Sequence, residues 1–330
     1  MLKLEGKKVL VTGASGFIGS HLTETLVRMG AKVRAFVHYN SRNSYGNLEL
    51  LEPEIFRNLE ILTGDIIDPF FVEKAVSGCR VVFHLAALIA IPYSYIAPHC
   101  YVATNISGTL NIMEACMKQG VEKVVQTSTS ETYGTALYTP IDEKHPLQGQ
   151  SPYSASKIGA DKIAESFYLS FNVPVATIRP FNTYGPRQSA RAVIPTIISQ
   201  ALVKDTIKLG SLDPVRDFTY VKDTARGFIS IAQSENTIGK VTNIGTGKAV
   251  TIGDLAHTII GIIGGKKEII TDEQRIRPQN SEVMKLLCAN EKAKERAGWE
   301  PRYTLVDGLT ETVEFVRAHQ DLFKPEIYNV

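Results

Sequence analysis

The segment SPYSASK, at 151–157, places a tyrosine and a lysine four positions apart. On a helix, Tyr153 and Lys157 would share one face, because residues four apart are neighbours there. A lysine cation beside a phenol stabilises the phenolate and lowers its pKa from about 10 towards neutrality. Such a phenolate can take a proton from an alcohol while a hydride leaves the same carbon. The spacing also occurs by chance, so the pair needs support from other features.

A second feature is the polar run QTSTSETYG, at 126–134, which follows the apolar residues KVV of a predicted strand. It places Thr129 24 positions before Tyr153, with Ser130 next and the carboxylate of Glu131 two positions after Thr129. A carboxylate at the end of a buried strand could act on a substrate as a base. The alternative is that it only hydrogen-bonds the strand end.

Three glycines lie between the first predicted strand, at 7–12, and the first predicted helix. Glycine permits a tight turn, a close approach of the backbone to a pyrophosphate and close helix–strand packing. The free N–H groups and positive dipole end of the helix then favour phosphate. The alternative is a purely structural turn. We predict a dinucleotide-binding loop formed by Gly13, Ser15, Gly16, Phe17, Ile18 and Gly19.

The end of the second predicted strand has no acid to bind the ribose hydroxyls of NAD. His38 stands in that region, and Ser41 and Arg42 could hold the 2′-phosphate of NADP. This favours NADP, although a surface arginine also occurs there by chance, so NAD stays open. Asp65, after the third strand, could contact the adenine ring or could cap a helix. The predicted cofactor-binding set also contains Asn40, Ile66, Leu85, Ala86 and Ala87, with Tyr153 and Lys157.

The elements that must position these residues alternate along the chain. Helical segments separate six apolar runs, at 7–12, 32–37, 59–65, 80–87, 122–129 and 174–180. Strands that alternate with helices predict parallel βαβ units, and continuous apolar runs predict strands buried on both faces. We therefore predict an α/β fold, a Rossmann-type doubly wound parallel sheet with a smaller mixed C-terminal substrate domain. The predicted domains are 1–180, which binds NAD(P) with returning elements around 218–246, and 181–330.

Composition excludes several classes of protein. The net charge is +2 with no long charged block, so nucleic acid is not an expected partner. The four cysteines are scattered, which argues against a disulfide framework and a zinc site, and no metal is expected. A strand begins almost at the N-terminus, and no apolar run approaches the ~18 residues of a membrane helix. We expect a cytoplasmic protein with no signal peptide and no membrane contact.

Seven motifs in this order resemble the extended short-chain dehydrogenase/reductase family, the NAD(P)-dependent nucleotide-sugar epimerases and dehydratases. They are VTGASGFIGSHL, GDI, VFHLAA, TNISGTLNIMEA, SPYSASK, IRPFNTYGPRQ and VRDFTYVKD, and they cover essentially the whole chain. The resemblance implies a catalytic triad of Thr129, Tyr153 and Lys157, with Tyr153 as the base that starts oxidation at sugar carbon 4. It also implies an NAD(P) that is tightly bound and regenerated in each turnover.

In similar dehydratases, a glutamate at the position of Glu131 removes the proton on carbon 5. Ser130 stands where many members have an aspartic acid, as it does in GDP-mannose dehydratases. Either Glu131 passes its proton to the leaving hydroxyl, or Ser130 relays one. The motifs look most like those of UDP-N-acetylglucosamine 4,6-dehydratases that retain the configuration at carbon 5. The alternatives are a nucleotide-sugar 4-epimerase, with Glu131 structural, and a non-enzymatic NAD(P)-binding sensor.

The resemblance also implies residues that hold the nucleotide sugar. Arg216 and Arg277 match positions that grip the diphosphate, Glu282 matches an acid that contacts the ribose, and Asn182 matches a contact to phosphate or sugar. Arg187 follows close behind. The segment 86–99 is expected to line the sugar site, and His84 is read as structural.

Family members pair two helices across a two-fold axis, which implies a homodimer formed by the helices at 104–120 and 151–171. The residues expected to carry it are Ile112, Met113, Cys116, Ile163, Phe167 and Tyr168. The alternative is that these side chains face only the protein's own sheet.

Overall fold

The computed structural model describes residues 1–276 and 283–327 of the chain. Its strands are β1 (Lys8–Thr12), β2 (Lys32–His38), β3 (Glu60–Gly64), β4 (Val81–His84), β5 (Lys123–Thr127), β6 (Val175–Pro180), β7 (Asn182–Tyr184), β8 (Thr206–Leu209), β9 (Val215–Arg216), β10 (Phe218–Tyr220), β11 (Val241–Ile244), β12 (Val250–Thr251) and β13 (Glu268–Thr271).

The α-helices are α1 (Phe17–Arg28), α2 (Pro53–Arg57), α3 (Pro69–Val76), α4 (Ile91–Ile96), α5 (Pro98–Tyr101), α6 (Gly108–Gln119), α7 (Pro152–Phe171), α8 (Val193–Val203), α9 (Val221–Gln233), α10 (Ile252–Ile263), α11 (Glu291–Ala297) and α12 (Leu305–Ala318). One π-helical segment, Val102–Ser107, joins α5 to α6. A short 3₁₀ turn, Ser130–Tyr133, follows β5.

Seven strands form one parallel sheet in the order β11-β6-β5-β4-β1-β2-β3. The chain winds outwards from β1 to β3 and then returns to the other side of β1 at β4. This reversal opens a crevice at the carboxyl ends of β1 and β4, where ligands of such sheets bind. The predicted Rossmann-type doubly wound sheet is confirmed, and each predicted strand has its counterpart in it.

Alternate residues of the central strands enter two different hydrophobic cores. Val9 and Val11 pack into one core with Phe228 of α9, while Leu10 packs into the other with Val72 of α3. All five side chains are fully buried. Because both faces of the sheet are covered, these strands are apolar at every position and not at alternate ones.

The C-terminal half contributes to the sheet and also forms a core of its own. Strand β11 pairs with β6, in register from Val241 opposite Thr177 to Ile244 opposite Pro180. Residues of α8, α10 and α12 pack together in a separate cluster. The domain boundaries stay a prediction.

Four of the six residues expected to carry a dimer are buried in the chain's own core. They are Ile112, Met113, Cys116 and Phe167, and Ile163 and Tyr168 pack at the edge of the same cluster. These side chains therefore face the protein's own sheet, which is the alternative interpretation. A homodimer through α6 and α7 stays a prediction, and it would need other residues of these helices.

None of the described helices is both long enough and apolar enough to cross a membrane.

Replacing Gly19 by alanine is expected to destabilise the fold. A Cβ on Gly19 would lie 2.1 Å from the carbonyl oxygen of Gly13, so the backbone must shift. Overpacking of this kind costs about 1–3 kcal/mol. Gly261→Ala is the matched control, since a Cβ on this helical glycine would meet nothing within 4 Å, and alanine is favoured over glycine in helices by about 1 kcal/mol. In chemical denaturation, the midpoint of G19A should be lower than that of the wild type, and the midpoint of G261A should not be. Equal midpoints for the two variants would contradict the close approach at Gly19.

Candidate active site

The loop between β1 and α1 has the shape that the glycines predict. Gly13 has a φ of +69°, and a Cβ on it would lie 2.9 Å from the backbone nitrogen of Ala86. Helix α1 begins after Gly16, which has no side chain to cap it. The carbonyl of Ser15 accepts a hydrogen bond from the N–H of Asn47 at 3.1 Å. The helix N-terminus therefore presents N–H groups beside a backbone that an anion can approach closely.

At the far end of this crevice the structure brings two predicted cofactor residues together. Nε2 of His38 lies 3.3 Å from Oδ2 of Asp65, and both side chains are exposed. Asn40 shapes the neighbouring loop, because its Oδ1 accepts the N–H groups of Arg42 and Ser44 at 3.2 Å. Arg42 is exposed on that loop. Arg42 therefore supplies a positive charge on the loop after β2, and the end of β2 itself carries no acidic residue.

A buried hydrogen-bond network holds the strand ends at the crevice. Thr12 Oγ1 accepts the N–H groups of Leu85 and Ala86, each at 3.1 Å, so its own hydrogen is directed at Nδ1 of His84, 2.8 Å away. Nε2 of His84 then donates to the hydroxyl of Thr109 at 3.1 Å. Burial, with a smaller effect from the charge of Lys157, lowers the pKa of His84 to about 3. His84 is therefore neutral near pH 7 and fits the structural role expected for it.

Helix α7 begins where SPYSASK predicts it, and its start sets which residues face the sheet. Ser151 Oγ accepts a hydrogen bond from the N–H of Ser154, and the N–H of Ser151 donates one to Ser154 Oγ in return. Pro152 is the first helical residue. This capping box fixes the first turn of the helix. Tyr153 and Lys157 are consequently both buried and both face the end of β5.

The three residues of the predicted triad lie at that strand end. Lys157 Nζ donates to the backbone carbonyl of Thr127 at 2.6 Å. Burial raises the pKa of Tyr153, against the opposite effect of the Thr129 side chain, and burial lowers the pKa of Lys157. In the protein alone, burial thus favours the uncharged form of both groups.

Glu131 and Ser130 lie in the turn that follows Thr129. Thr129 caps this turn, since its Oγ1 accepts the N–H of Glu131 at 3.3 Å. The Ser130 residue is buried, while Glu131 is only partly buried. Burial is the main cause of the raised pKa of Tyr153, and the charge of Glu131 adds to it. The structure therefore brings Thr129, Glu131 and Tyr153 to one place.

The residues expected to hold a nucleotide sugar are distributed around this place. Asn182 begins β7, and its Oδ1 is buried without a hydrogen-bond partner among residues 1–276 and 283–327. Arg216 is buried on β9, where its Nη1 donates to the carbonyl of Val215 at 3.1 Å. The expected contacts of Arg277 and Glu282 lie outside the described residues.

Arg187 is engaged with helix α1. Its Nη2 lies 2.6 Å from Oε2 of Glu24, and its backbone is in the left-handed region, with a φ of 67°. The carbonyl of the preceding Pro186 accepts a hydrogen bond from His21 at 2.9 Å. This turn therefore fastens the start of the second half of the chain onto α1. A contact of Arg187 with a diphosphate stays a prediction.

Some residues around the triad were absent from the predicted set. Asn105 exchanges hydrogen bonds with the backbone of Leu88, at 2.8 and 2.9 Å, and donates to Ser156 at 2.9 Å, which ties the segment after β4 to α7. Asp161 and Arg179 form a buried ion pair at 2.8 Å. Their signal in the sequence is a polar residue inside an element predicted to be buried.

Residues 10–312 match the model of the family described as GDP-mannose 4,6-dehydratase. The dTDP-D-glucose 4,6-dehydratase of Mus musculus is 32% identical over 324 residues, which are 95% of this chain and 89% of that one. Two solved structures superpose on almost the whole chain. DesIV, a dTDP-glucose 4,6-dehydratase from Streptomyces venezuelae with NAD bound, has a TM-score of 0.85 at 26% identity and covers 96% of this chain and 99% of its own. The UDP-N-acetylglucosamine 4-epimerase of Methanobrevibacter ruminantium M1 has a TM-score of 0.86 at 30% identity with the same coverage.

The fold and the site together define an extended short-chain dehydrogenase/reductase. The chain belongs to the family of NAD-dependent nucleotide-sugar dehydratases and epimerases within that class. Both activities occur among the relatives, so the family by itself does not separate a lyase from an isomerase.

The low pKa of His84 makes stability depend on pH. The pKa falls from 6.5 in the unfolded chain to about 3 in the folded protein, so the stability it contributes is present above pH 6.5 and is lost as pH falls towards 3. Between pH 7.5 and 5.5, one such histidine lowers the free energy of unfolding by about 1.4 kcal/mol. In His84→Gln the difference between the two pH values should shrink by this amount, measured by urea denaturation. His257→Gln, at an exposed position of α10, is the control that should behave as wild type. A wild-type pH dependence in H84Q would refute this assignment.

Proposed function

We propose that the chain is a nucleotide-sugar 4,6-dehydratase, a hydro-lyase that converts UDP-N-acetylglucosamine to its 4-keto-6-deoxy derivative. The observation that carries this proposal is the place of Glu131. Glu131 follows Thr129 in the turn at the end of β5, where its N–H donates to Thr129 Oγ1 at 3.3 Å. After the larger effect of burial, the charge of Glu131 is one of those that raise the pKa of Tyr153. A carboxylate beside the group that acts at carbon 4 is placed to reach a proton on carbon 5. A 4-epimerase needs no such base.

Tyr153 starts the reaction by taking the proton of the hydroxyl on carbon 4. Thr129, whose side chain acts on the Tyr153 hydroxyl, orients that phenol for the transfer. Lys157, held by the carbonyl of Thr127, stabilises the phenolate when it carries its charge. Burial opposes each charged form taken alone. A phenolate beside an ammonium group is more favourable than either charge alone, because the two opposite charges stabilise each other.

Glu131 acts in the second step. The keto group at carbon 4 acidifies the proton on carbon 5, and the carboxylate of Glu131 removes it. The hydroxyl on carbon 6 leaves as water after it receives a proton, and carbon 5 takes up a proton again when carbon 6 is reduced, so the net change is the loss of one water. Ser130 is too weak an acid to supply the proton for the leaving hydroxyl by itself, so either Glu131 passes on the proton it has taken or Ser130 relays one. Retention of configuration at carbon 5 is part of the proposal.

The cofactor is NAD or NADP, and the residues fit it. The space that a Cβ would fill at Gly13 and the uncapped start of α1 suit a pyrophosphate. His38 and Asp65 are placed for the adenosine end, and the exposed Arg42 favours a 2′-phosphate. When bound, the nicotinamide accepts a hydride from carbon 4 and returns it to carbon 6, and its positive charge in the oxidised form favours the phenolate.

The nucleotide end of the substrate is held on the side of β7 and β9. Asn182 carries a buried oxygen without a partner within the described part of the chain, which fits a ligand group that donates to it. Arg216, Arg277 and Glu282 are the other proposed contacts. UDP-N-acetylglucosamine is proposed from the resemblance of the motifs, and the similar epimerase named for this sugar nucleotide supports it. A cytoplasmic location stays a prediction.

Incubation of the purified protein with UDP-N-acetylglucosamine tests the function directly. We expect mass spectrometry to show a product lighter by one water, because the net reaction is a dehydration. An unchanged mass with a new anomeric signal would indicate a 4-epimerase, and no turnover with any nucleotide sugar would favour a sensor. The dinucleotide released on denaturation identifies the cofactor.

Glu131→Gln separates the two steps. The amide cannot take the carbon 5 proton, so water loss should fall by about 10²–10⁴-fold, the usual contribution of a general base. Reduction of the bound cofactor in a single turnover should survive, because Tyr153 performs that step. Tyr153→Phe should lose both, and Glu165→Gln, at an exposed position of α7, is the matched control that should lose neither. Normal dehydration by E131Q would refute the dehydratase proposal.

A further inference from the structure

One stripe of helix α7 contacts three consecutive residues at the end of β5. The side chain of Thr129 acts on the Tyr153 hydroxyl and lowers its pKa against the larger effect of burial. Lys157 Nζ donates to the carbonyl of Thr127 at 2.6 Å. The hydroxyl of the intervening Ser128 donates to Oδ2 of Asp161 at 2.5 Å. Tyr153, Lys157 and Asp161 are spaced four apart and therefore lie on one face of the helix. Asp161 is thus the third member of a series whose first two members are the proposed catalytic pair.

Arg179 completes this contact from the neighbouring strand β6. Its Nη2 donates to Oδ2 of Asp161 at 2.8 Å, and its Nε donates to Oγ of Ser128 at 3.0 Å. The two charged side chains are only 3% and 6% exposed. Ser128 therefore accepts from one partner and donates to the other, so its hydroxyl has one orientation. Because Ser128 stands between Thr127 and Thr129, both of its neighbours are held in place.

The same guanidinium also supports the turn that carries Glu131. It lies 4.6 Å from the centroid of the Tyr133 ring, at the end of that turn. The Tyr133 hydroxyl donates to Oδ1 of Asn243 on β11 at 2.8 Å. Arg179 thus connects the ion pair to the turn that follows the triad threonine.

A role in stability alone is a poor account of this ion pair. Desolvating two charges costs so much that apolar residues of similar volume are often as stable or more so. Oδ1 of Asp161 also has no hydrogen-bond partner within residues 1–276 and 283–327, which adds to the cost. What the carboxylate does supply is a negative charge one helical turn beyond Lys157. That charge offsets part of the effect of burial on the pKa of Lys157, and it also disfavours a phenolate at Tyr153.

We propose that Asp161, with Ser128 and Arg179, is a positioning residue that fixes the end of β5 against Tyr153 and Lys157. This rests on the proposed role of the pair in oxidation at carbon 4, and it is independent of the role of Glu131. The ionisable groups that act on Tyr153 and Lys157 are Asp161 on the same helix, His84 on β4, Glu131 on the turn after β5, and Tyr101. Arg179 on β6 contacts Asp161, and Tyr133 contacts Arg179.

The test compares two variants that remove different parts of the contact. Asp161→Asn removes the charge, and Ser128→Ala removes the bridging hydroxyl but keeps the charge. For each holoenzyme, reduction of the bound cofactor by UDP-N-acetylglucosamine is followed against pH in single turnovers. Cofactor reduction reports oxidation at carbon 4, a step that dehydratases and epimerases share. The positioning role of Asp161 can therefore be tested even if the dehydratase proposal fails.

Both variants should reduce the cofactor about tenfold or more slowly than the wild type, with a KM within about twofold of the wild-type value. Displacing a catalytic group slows the chemical step without weakening substrate binding. Removing a negative charge lowers the pKa values of both members of the pair. The whole pH–rate profile of D161N should therefore move to lower pH, by about one unit, while that of S128A should not move. Glu165→Gln, an exposed acid on the same helix, is the control that should change neither quantity.

Thermal unfolding of each variant separates positioning from folding. If D161N and S128A only lower the melting temperature, and the folded fraction turns over at the wild-type rate with an unmoved profile, the proposal is overturned. If D161N does not fold, S128A still decides, since a wild-type rate in S128A overturns the proposal and a reduced rate with unchanged KM supports it.

Discussion

The packing of α7 against the end of β5 is the contact on which the rest of the site depends. Its parts are the approach of Tyr153 to the side chain of Thr129, a hydrogen bond from Lys157 to the carbonyl of Thr127, and one from Ser128 to Asp161. Side chains four residues apart lie along one face of a helix, and three consecutive residues at a strand end lie within a few ångströms of each other. A shift of the helix by one residue would break all three contacts together. The proposed chemistry therefore relies on the register of one helix.

Burial creates the electrostatic problem that this contact answers. Excluding water raises the pKa of Tyr153 and lowers the pKa of Lys157, so both groups tend towards neutrality. Proton abstraction needs a phenolate, and a phenolate in a buried place needs a cation beside it. The carboxylate of Asp161 favours that cation but disfavours the phenolate, and Arg179 compensates the carboxylate in turn. The charge at the site is a balance among four groups on two adjoining elements, and not a property of the tyrosine–lysine pair alone.

The second half of the chain is fastened to the cofactor side of the fold. Arg187 reaches Glu24 on α1, and His21 of the same helix is hydrogen-bonded to the carbonyl of Pro186. Strand β11 extends the main sheet beside β6. Elements that would hold a nucleotide sugar are thereby built onto the helix whose N-terminus suits a pyrophosphate. A site formed this way keeps two ligands at a fixed separation, which is what transfer of a hydride between them requires.

The sequence by itself determined the sheet, the glycine loop and the residue types of the triad. Strand runs buried on both faces are apolar throughout, and the start of α7 is encoded locally by Ser151 and Pro152, so neither needs distant information. Only the tertiary structure decided which polar residues meet. Asp161 and Arg179 are 18 positions apart on different elements, and their pairing depends on how α7 lies across β6. Arg187, one of the predicted substrate contacts, is paired with Glu24 of α1, a residue far away in the sequence that no local pattern specifies. Its contact with the substrate stays a prediction.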